Sequence, residues 1–431
     1  MKNMVVAAHT LGCKVNQCDT DAVLGRLTDI GCVIGSFNDA ADIYIINTCT
    51  VTHASDKKSR QMIRRARKQN PAACIAVCGC MTQNTDKDFA EKLDIDFVFD
   101  ARKPNDFVQK VSEMDAGVGD TVSPAHQNRT LPTPKFRTRS FVKIQDGCDR
   151  FCAYCIVPYV RGKPKSRPVA DIMAEIKNLL AGGTQEVVLT GIQVASYGED
   201  SGDTNLAALI KQILSLDGLQ RLRLSSVEPC AITNDFLAVV ASSLALCDHF
   251  HLSLQSGSNA TLQRMNRRYT TAEYAKIAAS LRAINPNVAL TTDIIVGFPG
   301  ETDEEFNESL AFIQKIGFAR IHVFEYSKRE GTVAATLPNQ VPDNIKTARS
   351  KKMRDVAAGL QADFYQAQVG KTMAVLFETQ KNGQWLGHTG NYCPVQVACD
   401  TNLSNTIRPV TITGCTQDGL QGEIVPYGGL D

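Results

Sequence analysis

The chain has 431 residues and a net charge of only +1, so it holds two or three domains, and bulk charge gives no argument for a nucleic-acid partner. No run of about 18 apolar residues occurs, which excludes a membrane-spanning helix. The opening Met1-Lys2-Asn3-Met4 lacks a signal-peptide profile, so a cytoplasmic location is the default expectation. Fifteen cysteines, an odd number, are expected in a reducing compartment as metal ligands or buried apolar residues rather than as disulfides.

The first elements alternate. Met4 to Ala8 reads as a buried strand, Leu11 to Asn16 as a turn and Gln17 to Asp29 as a helix. Ile43 to Ile46 is a second strand. A second helix starts near Ser55-Asp56 and stops before Pro71, and Cys74 to Val77 is a third strand. This alternation implies a doubly wound parallel α/β sheet, whose ligand edge lies at the C-terminal ends of its strands. Cys13, Cys49 and Cys80 each fall just past such an end, so three thiols remote in sequence are expected to meet. Cys18, Cys32, Cys74 and Cys78 read as buried, although proximity alone does not separate Cys78 from Cys80.

Charge is uneven. Residues 57 to 68 hold seven basic side chains and no acidic one. Arg161, Lys163, Lys165 and Arg167 form a second run, and Lys346, Arg349, Lys351, Lys352 and Arg354 a third. Such runs bind phosphates or are solvated faces. Residues 115 to 135, rich in Gly and Pro, read as a linker.

After the linker, Phe141 to Gln145 is a strand leading into Cys148-Asp149-Arg150-Phe151-Cys152-Ala153-Tyr154-Cys155. Three thiols within eight residues enclose one small object, and thiolates suit iron–sulfur clusters or zinc. Structural zinc takes four protein ligands, whereas the next cysteine is Cys230. A four-iron cluster on three cysteines would keep one iron open. The C-x3-C-x2-C spacing, with an aromatic residue before its last cysteine, resembles the signature of the radical S-adenosylmethionine (SAM) enzymes. That resemblance implies that the open iron is chelated by SAM, and that the reduced cluster cleaves SAM to a 5′-deoxyadenosyl radical.

Five further strands are expected at Glu186 to Thr190, Arg221 to Ser225, His249 to Leu254, Val288 to Val296 and Arg320 to Tyr326, with helices such as Asp171 to Leu180 and Asp303 to Ile316 between them. Six strands of this kind make a partial (β/α)6 barrel with its chemistry at the C-terminal strand ends. Gly191, Glu228, Ser253 and Gln255 lie at those ends and Asp293 lies within the fifth strand. Gly191, Glu228, Ser253, Gln255 and Arg268 are the candidates for cofactor binding, the last because a guanidinium fork suits a carboxylate.

Residues 343 to 368 read as a long helix. Short strands follow at Met373 to Glu378, Gln384 to His388, Val395 to Ala398 and Ile407 to Ile412, the pattern of a small antiparallel barrel. This barrel resembles the RNA-binding TRAM domain. Yet from Gly370 onward three basic residues face five acidic ones, a poor balance for phosphate binding. Phe377, Trp385 and Tyr392 could stack bases or form a core. The basic helix near residue 60 is expected to contribute at least as much to RNA binding.

His9 to Asn16, Asn47 to Thr52 and Gly79 to Gln83 resemble the N-terminal domain of the radical-SAM methylthiotransferases, whose Gly-Cys pattern selects Cys80 over Cys78. Ser225-Ser226-Val227-Glu228-Pro229, Leu254-Gln255-Ser256-Gly257-Ser258, Met265-Asn266-Arg267-Arg268-Tyr269 and Gly297 to Thr302 extend the likeness through the barrel. The runs 9 to 16 and 51 to 61 are most similar to the MtaB-type subgroup. The resemblance implies three domains: 1–120 with an auxiliary cluster on Cys13, Cys49 and Cys80; 136–366, the radical-SAM domain with its cluster on Cys148, Cys152 and Cys155; and 369–431, TRAM-like. It implies two [4Fe-4S] clusters, SAM, an external electron donor, a tRNA partner, no membrane and a monomer. The implied reaction adds a methylthio group to C2 of N6-threonylcarbamoyladenosine next to the anticodon. One SAM methylates a sulfur on the auxiliary cluster and a second makes the radical that activates C2. The alternatives are the same chemistry on isopentenyladenosine or on an aspartate of a ribosomal protein, or a non-catalytic iron–sulfur RNA-binding sensor.

Overall fold

A computed structural model describes residues 4–83, 88–116 and 138–426, which form two compact units. Among these residues the first unit holds 4–83, 88–116, 147–149 and 155–163, and the second holds 138–146, 150–154 and 164–426. The expected linker lies, from residue 117, outside the described residues.

The first unit runs β1 (Val5–Thr10), α1 (Lys14–Asp29), β2 (Val33–Gly35), β3 (Ile43–Thr48), α2 (His53–Gln69), β4 (Cys74–Gly79), α3 (Phe89–Lys92), β5 (Phe97–Val98) and α4 (Pro104–Ala116), and it includes α5 (Val157–Arg161). Its sheet is parallel, in the order β2-β1-β3-β4-β5. Val5, Ala7, Tyr44, Ile46, Ile75 and Val77 pack on one face, and Val6, Ile43, Ile45, Ala76 and Cys78 on the other. Both faces are therefore covered, which is why these strands are continuous apolar runs rather than alternating ones. The strands that precede Cys13, Cys49 and Cys80, namely β1, β3 and β4, are direct neighbours.

The second unit begins with β6 (Arg139–Asp146), β7 (Lys165–Ser166), α6 (Val169–Ala181), β8 (Glu186–Gly191), α7 (Leu206–Leu214), β9 (Arg221–Leu224), α8 (Asn234–Ser242), β10 (His249–His251), α9 (Asn259–Arg264), α10 (Thr271–Ile284), β11 (Ala289–Val296), α11 (Asp303–Ile316), β12 (Arg320–Glu325) and α12 (Asp343–Gln366). Strands β6, β8 and β9 pair in parallel, as do β10, β11 and β12. Parallel bridges Leu222–Leu246 and Val227–Leu252 join the two sets. The result is the expected partial (β/α)6 barrel, with β7 antiparallel on the outer side of β6. Val142, Leu189, Leu222, Phe250, Leu290 and Ile294 face a core shared with Ile172, Leu209, Phe236, Tyr274 and Ile313 of the helices. The alternate residues line the opposite, concave face.

The chain ends in β13 (Thr372–Lys381), β14 (Gln384–Thr389), β15 (Pro394–Ala398), β16 (Thr406–Thr416) and β17 (Gly419–Ile424), a closed barrel in the order β13-β14-β15-β17-β16. The pairing is antiparallel except between β15 and β17. Phe377 and Trp385 are buried in its core, so they are not base-stacking surfaces. Tyr392 is held between Arg139 and Arg223, 5.1 and 4.5 Å from its ring centre. Those arginines belong to a cluster around the fully buried Glu186 at the N-terminal ends of β6, β8 and β9. Glu186 accepts from Arg223 at 2.7 and 3.1 Å and pairs with Arg139 at 2.7 Å, while Arg221 donates to the carbonyls of His388 and Ala374 at 3.0 and 2.6 Å. Burial alone would raise the Glu186 carboxyl, but Arg223, Arg139 and Arg221 outweigh it and hold it at about 2.

Candidate active site

None of the fifteen cysteines forms a disulfide. In the first unit Cys13 is the exposed residue preceding α1, Cys49 follows β3 directly, and Cys80 opens the 3-10 turn after β4. Cys49 and Cys80 are buried, and the Cys80 thiol is pushed up by burial against the opposing effect of Arg161. Cys78, two residues earlier and within β4, lies in the hydrophobic core with Phe99 and Phe107, so it takes the structural role.

Two glycines bring the thiols together. Gly12 has φ +94°, and a Cβ there would lie 2.8 Å from Cys49 Cβ and 2.9 Å from its Sγ. Gly79, also at φ +94°, leaves no room for a side chain against Asn47 Oδ1 and the Thr48 carbonyl, at 2.3 and 2.4 Å. Asn16, wholly buried, ties two of the strand ends: its Nδ2 donates to the carbonyls of Leu11 and Thr48 at 2.8 and 3.1 Å, and Asn47 Nδ2 donates to its carbonyl at 2.9 Å. The Cys49 N–H donates to Ser59 Oγ of α2 at 3.3 Å. These contacts give the Leu-Gly-Cys-Lys-Val-Asn and Asn-Thr-Cys strings a physical reason.

The loop 147–156 follows β6. Cys148 and Cys155 group with the first unit and Cys152 with the second. Within the first unit, Ile156 and Val160 pack on Cys80. Arg161 of α5 is buried, donates to Asn16 Oδ1 and pairs with Asp19 at 3.3 Å. It is thus no member of an exposed basic run; Arg349, in the third run, is likewise buried on Glu301 at 2.7 Å. On α2, by contrast, Lys57, Lys58, Arg60, Arg64, Arg65 and Lys68 are exposed, and Arg67 pairs with Asp94 and Asp96 at 2.7 and 2.6 Å.

Within the second unit the tip of the loop is pinned. The Ala153 N–H donates to the Met265 carbonyl at 2.9 Å, the Ala334 N–H to the Ala153 carbonyl at 2.7 Å, and Asn266 Nδ2 to the Phe151 carbonyl at 3.0 Å. Arg267 donates to Cys152 Sγ at 3.2 Å and pairs with Glu228 at 2.9 Å. Arg150 takes the other oxygen of Glu228 at 3.3 Å. The sequence reading chose Arg268 for a carboxylate fork; Arg268 is exposed, and its neighbour Arg267 is the one that reaches the cysteine loop. Ser253 offers its carbonyl to Tyr269 Oη at 2.7 Å. Gln255 adopts φ +69° and bridges to Ile294. The space beside Gly191 is taken by Gln145, whose carbonyl would lie 3.0 Å from a Cβ, and Gln145 Oε1 accepts the Gln193 N–H at 2.8 Å.

The donor chemistry fits a cluster: a three-thiol set follows one strand, and a guanidinium at Cys152 tunes sulfur charge. A second observation, within the second unit, fits a polar ligand. Ser225 Oγ and Tyr326 Oη, just beyond the C-terminal ends of β9 and β12, are buried without a hydrogen-bond partner. Burial pushes the Tyr326 phenol up to about 12, and buried polar atoms of this kind are rare unless a ligand or water completes them. The sequence offered Ser225 only as part of the Ser225-Ser226-Val227-Glu228-Pro229 string, in which Glu228 was the candidate, and Tyr326 only as the end of an expected strand.

Residues 142–313 match the Radical SAM superfamily and residues 5–100 the Uncharacterized protein family UPF0004. The chain is 38% identical over 433 residues to the threonylcarbamoyladenosine tRNA methylthiotransferase MtaB of Bacillus subtilis (strain 168), covering 97% of this chain and 96% of that protein. It is 35% identical over 430 residues to the tRNA-2-methylthio-N(6)-dimethylallyladenosine synthase of Pelotomaculum thermopropionicum, covering 95% of each. Among solved structures, the radical S-adenosylmethionine methyltransferase TsrM from Kitasatospora setae shares the fold, with a TM-score of 0.58 at 13% identity over 89% of this chain and 79% of that one. The partial barrel, the cysteine loop and these likenesses together assign the chain to the radical-SAM methylthiotransferases, a family of enzymes, and within it to the MtaB-type subgroup.

Proposed function

We propose that this enzyme adds a methylthio group to C2 of N6-threonylcarbamoyladenosine beside the anticodon of tRNA. The observation that carries the reading is that Cys13, Cys49 and Cys80 follow the ends of three adjacent strands, with Ile156 and Val160, one and five residues after Cys155, packed on Cys80. Two [4Fe-4S] clusters are assigned, one to Cys13, Cys49 and Cys80, the other to Cys148, Cys152 and Cys155. Segments 1–120, 136–366 and 369–431 are read as the auxiliary-cluster, radical and TRAM-like domains. When bound, the clusters and SAM supply the sulfur, the methyl group and the radical chemistry that an inert aryl C–H requires.

The chain's own part is positional and electrostatic. Gly12 and Gly79 leave room for the auxiliary thiols. Arg161 sets a positive charge beside Cys80 and offsets Asp19. Arg267 donates to Cys152 and, with Arg150, fixes the Glu228 carboxylate. Ser225 and Tyr326 offer hydroxyls to a polar cofactor, together with Glu228, Ser253, Gln255 and Arg268 from the sequence reading; Gly191 stays in that set, its flank closed by Gln145. Six exposed cations of α2, which starts just beyond Cys49, favour the tRNA backbone, and the target base would leave its stack to reach the thiols. An external donor supplies electrons and the chain acts as a monomer.

The second reading, isopentenyladenosine as substrate, is favoured by the likeness to the Pelotomaculum enzyme. Protein reconstituted with about eight irons per chain, two four-iron clusters, is incubated with SAM, a reductant and each tRNA. Methylthiolation of the threonylcarbamoyl substrate alone supports the proposal, and an unmodified adenosine there sinks it.

A further inference from the structure

A different set of metal-ligand side chains, with no cysteine among them, lies on the concave face of the partial barrel. His251 on β10, Asp293 on β11 and His322 on β12 place one ligand atom each within 4.8 Å of one another. Register explains the meeting: Asp293 is directly opposite His322, and His251 is opposite Thr291, two residues before Asp293 on the same face. Phe250, Leu252, Ile294 and Ile321, which alternate with the trio, are 1%, 0%, 1% and 9% exposed in the helix-covered core. The trio therefore faces away from the helices. It is the one group of three or more His, Cys, Asp or Glu with this closeness among the described residues.

The hydrogen bonds orient the imidazole. His251 Nδ1 is 3.0 Å from Thr291 Oγ1, which is itself 3.1 Å from His249 Nε2. In one consistent arrangement Nδ1–H of His251 donates to Thr291 and the Thr291 hydroxyl donates to His249. That leaves a lone pair on His251 Nε2, 3.3 Å from Asp293 Oδ2, two acceptors that repel until a cation sits between them. A histidine whose second nitrogen is fixed by a protein oxygen is the usual setting of a metal ligand. Two imidazoles and one carboxylate suit zinc or ferrous iron, and three protein ligands leave coordination positions open for water or an anionic oxygen.

We infer that His251, Asp293 and His322 bind one divalent transition-metal ion, separate from the iron–sulfur clusters. Cluster-loaded protein is dialysed against chelator-buffered zinc, and zinc and iron are counted by mass spectrometry. About one zinc per chain is expected, absent from His322→Ala and from Asp293→Asn, with iron unchanged. Zinc content equal in the wild type and both variants, or no zinc in the wild type, overturns the site. If His322→Ala also loses iron, His322→Gln, which keeps the side-chain volume on this exposed position, decides by the same count. The readout is occupancy, so it stands or falls independently of which nucleoside the enzyme modifies.

Discussion

Gly12→Ala separates a ligand-positioning role from a folding role. At φ +94° an alanine costs about 1–3 kcal/mol, a fraction of the roughly 5–15 kcal/mol typical of a folded domain. The decisive quantity is the clash. Carbon atoms in contact sit about 3.5–4.0 Å apart, and the new methyl would stand 2.8 Å from Cys49 Cβ. Cys49 must therefore retreat by about 1 Å, whereas metal sites tolerate about 0.2 Å in ligand distance. Gly79→Ala differs because its methyl meets a backbone carbonyl at 2.4 Å as well as a side chain, so β3 and β4 themselves must part. The assay is iron content beside thermal unfolding. Gly12→Ala is expected to lose about four of about eight irons with a small change in melting temperature, and Gly79→Ala to lose the same iron with a large one. Full iron content in Gly12→Ala would refute the placement of Cys49 in a cluster.

Glu186→Gln leaves the buried Arg223 and Arg221 without their carboxylate, while Arg139 keeps Glu378 at 2.9 Å, and is expected to cost about 3–5 kcal/mol in denaturant unfolding at neutral pH. Because the Glu186 carboxyl is depressed to about 2 from an ordinary 4.5, its contribution is full above about pH 4.5 and fades as pH falls toward 2; the wild type and the variant should converge over that window. Tyr326→Phe is expected to leave stability unchanged while weakening SAM binding about fivefold, the loss of one hydrogen bond of about 1 kcal/mol; an unchanged dissociation constant removes Tyr326 from the site. Reversing Lys57, Lys58 and Arg64 to glutamate should lower tRNA affinity and flatten its salt dependence by about 2–3 units of slope, and a slope equal to the wild type would move the RNA surface elsewhere.

Periodicity carried the fold a long way. The nine strands expected before α12 match β1, β3, β4, β6 and β8 to β12 closely, because strands covered on both faces, as in the first unit, stand out as apolar runs, and barrel strands such as β9, β10 and β12 show apolar residues alternating with polar ones. The short β2 and β5 and the glycine-split β17 left no such trace. At the site, cysteine spacing was legible since thiols are scarce and chemically distinct. Electrostatic partners were not. Arg161 and Arg349 sat in basic runs yet are buried on Asp19 and Glu301, and whether Arg267 or Arg268 turns inward depends on the left-handed Asn266 before them. Asn16 and Gly12 were visible as motif letters, but their purpose required the sheet that brings Cys49 beside them.

The central claim is that the two cysteine triads serve methylthiolation of a threonylcarbamoylated adenosine. Nucleoside mass spectrometry of total tRNA, from cells with and without this gene, tests it most directly. The account predicts that the 2-methylthio derivative of N6-threonylcarbamoyladenosine disappears while its precursor accumulates. Retention of that derivative, with loss of the methylthio isopentenyl nucleoside or of neither, would contradict it.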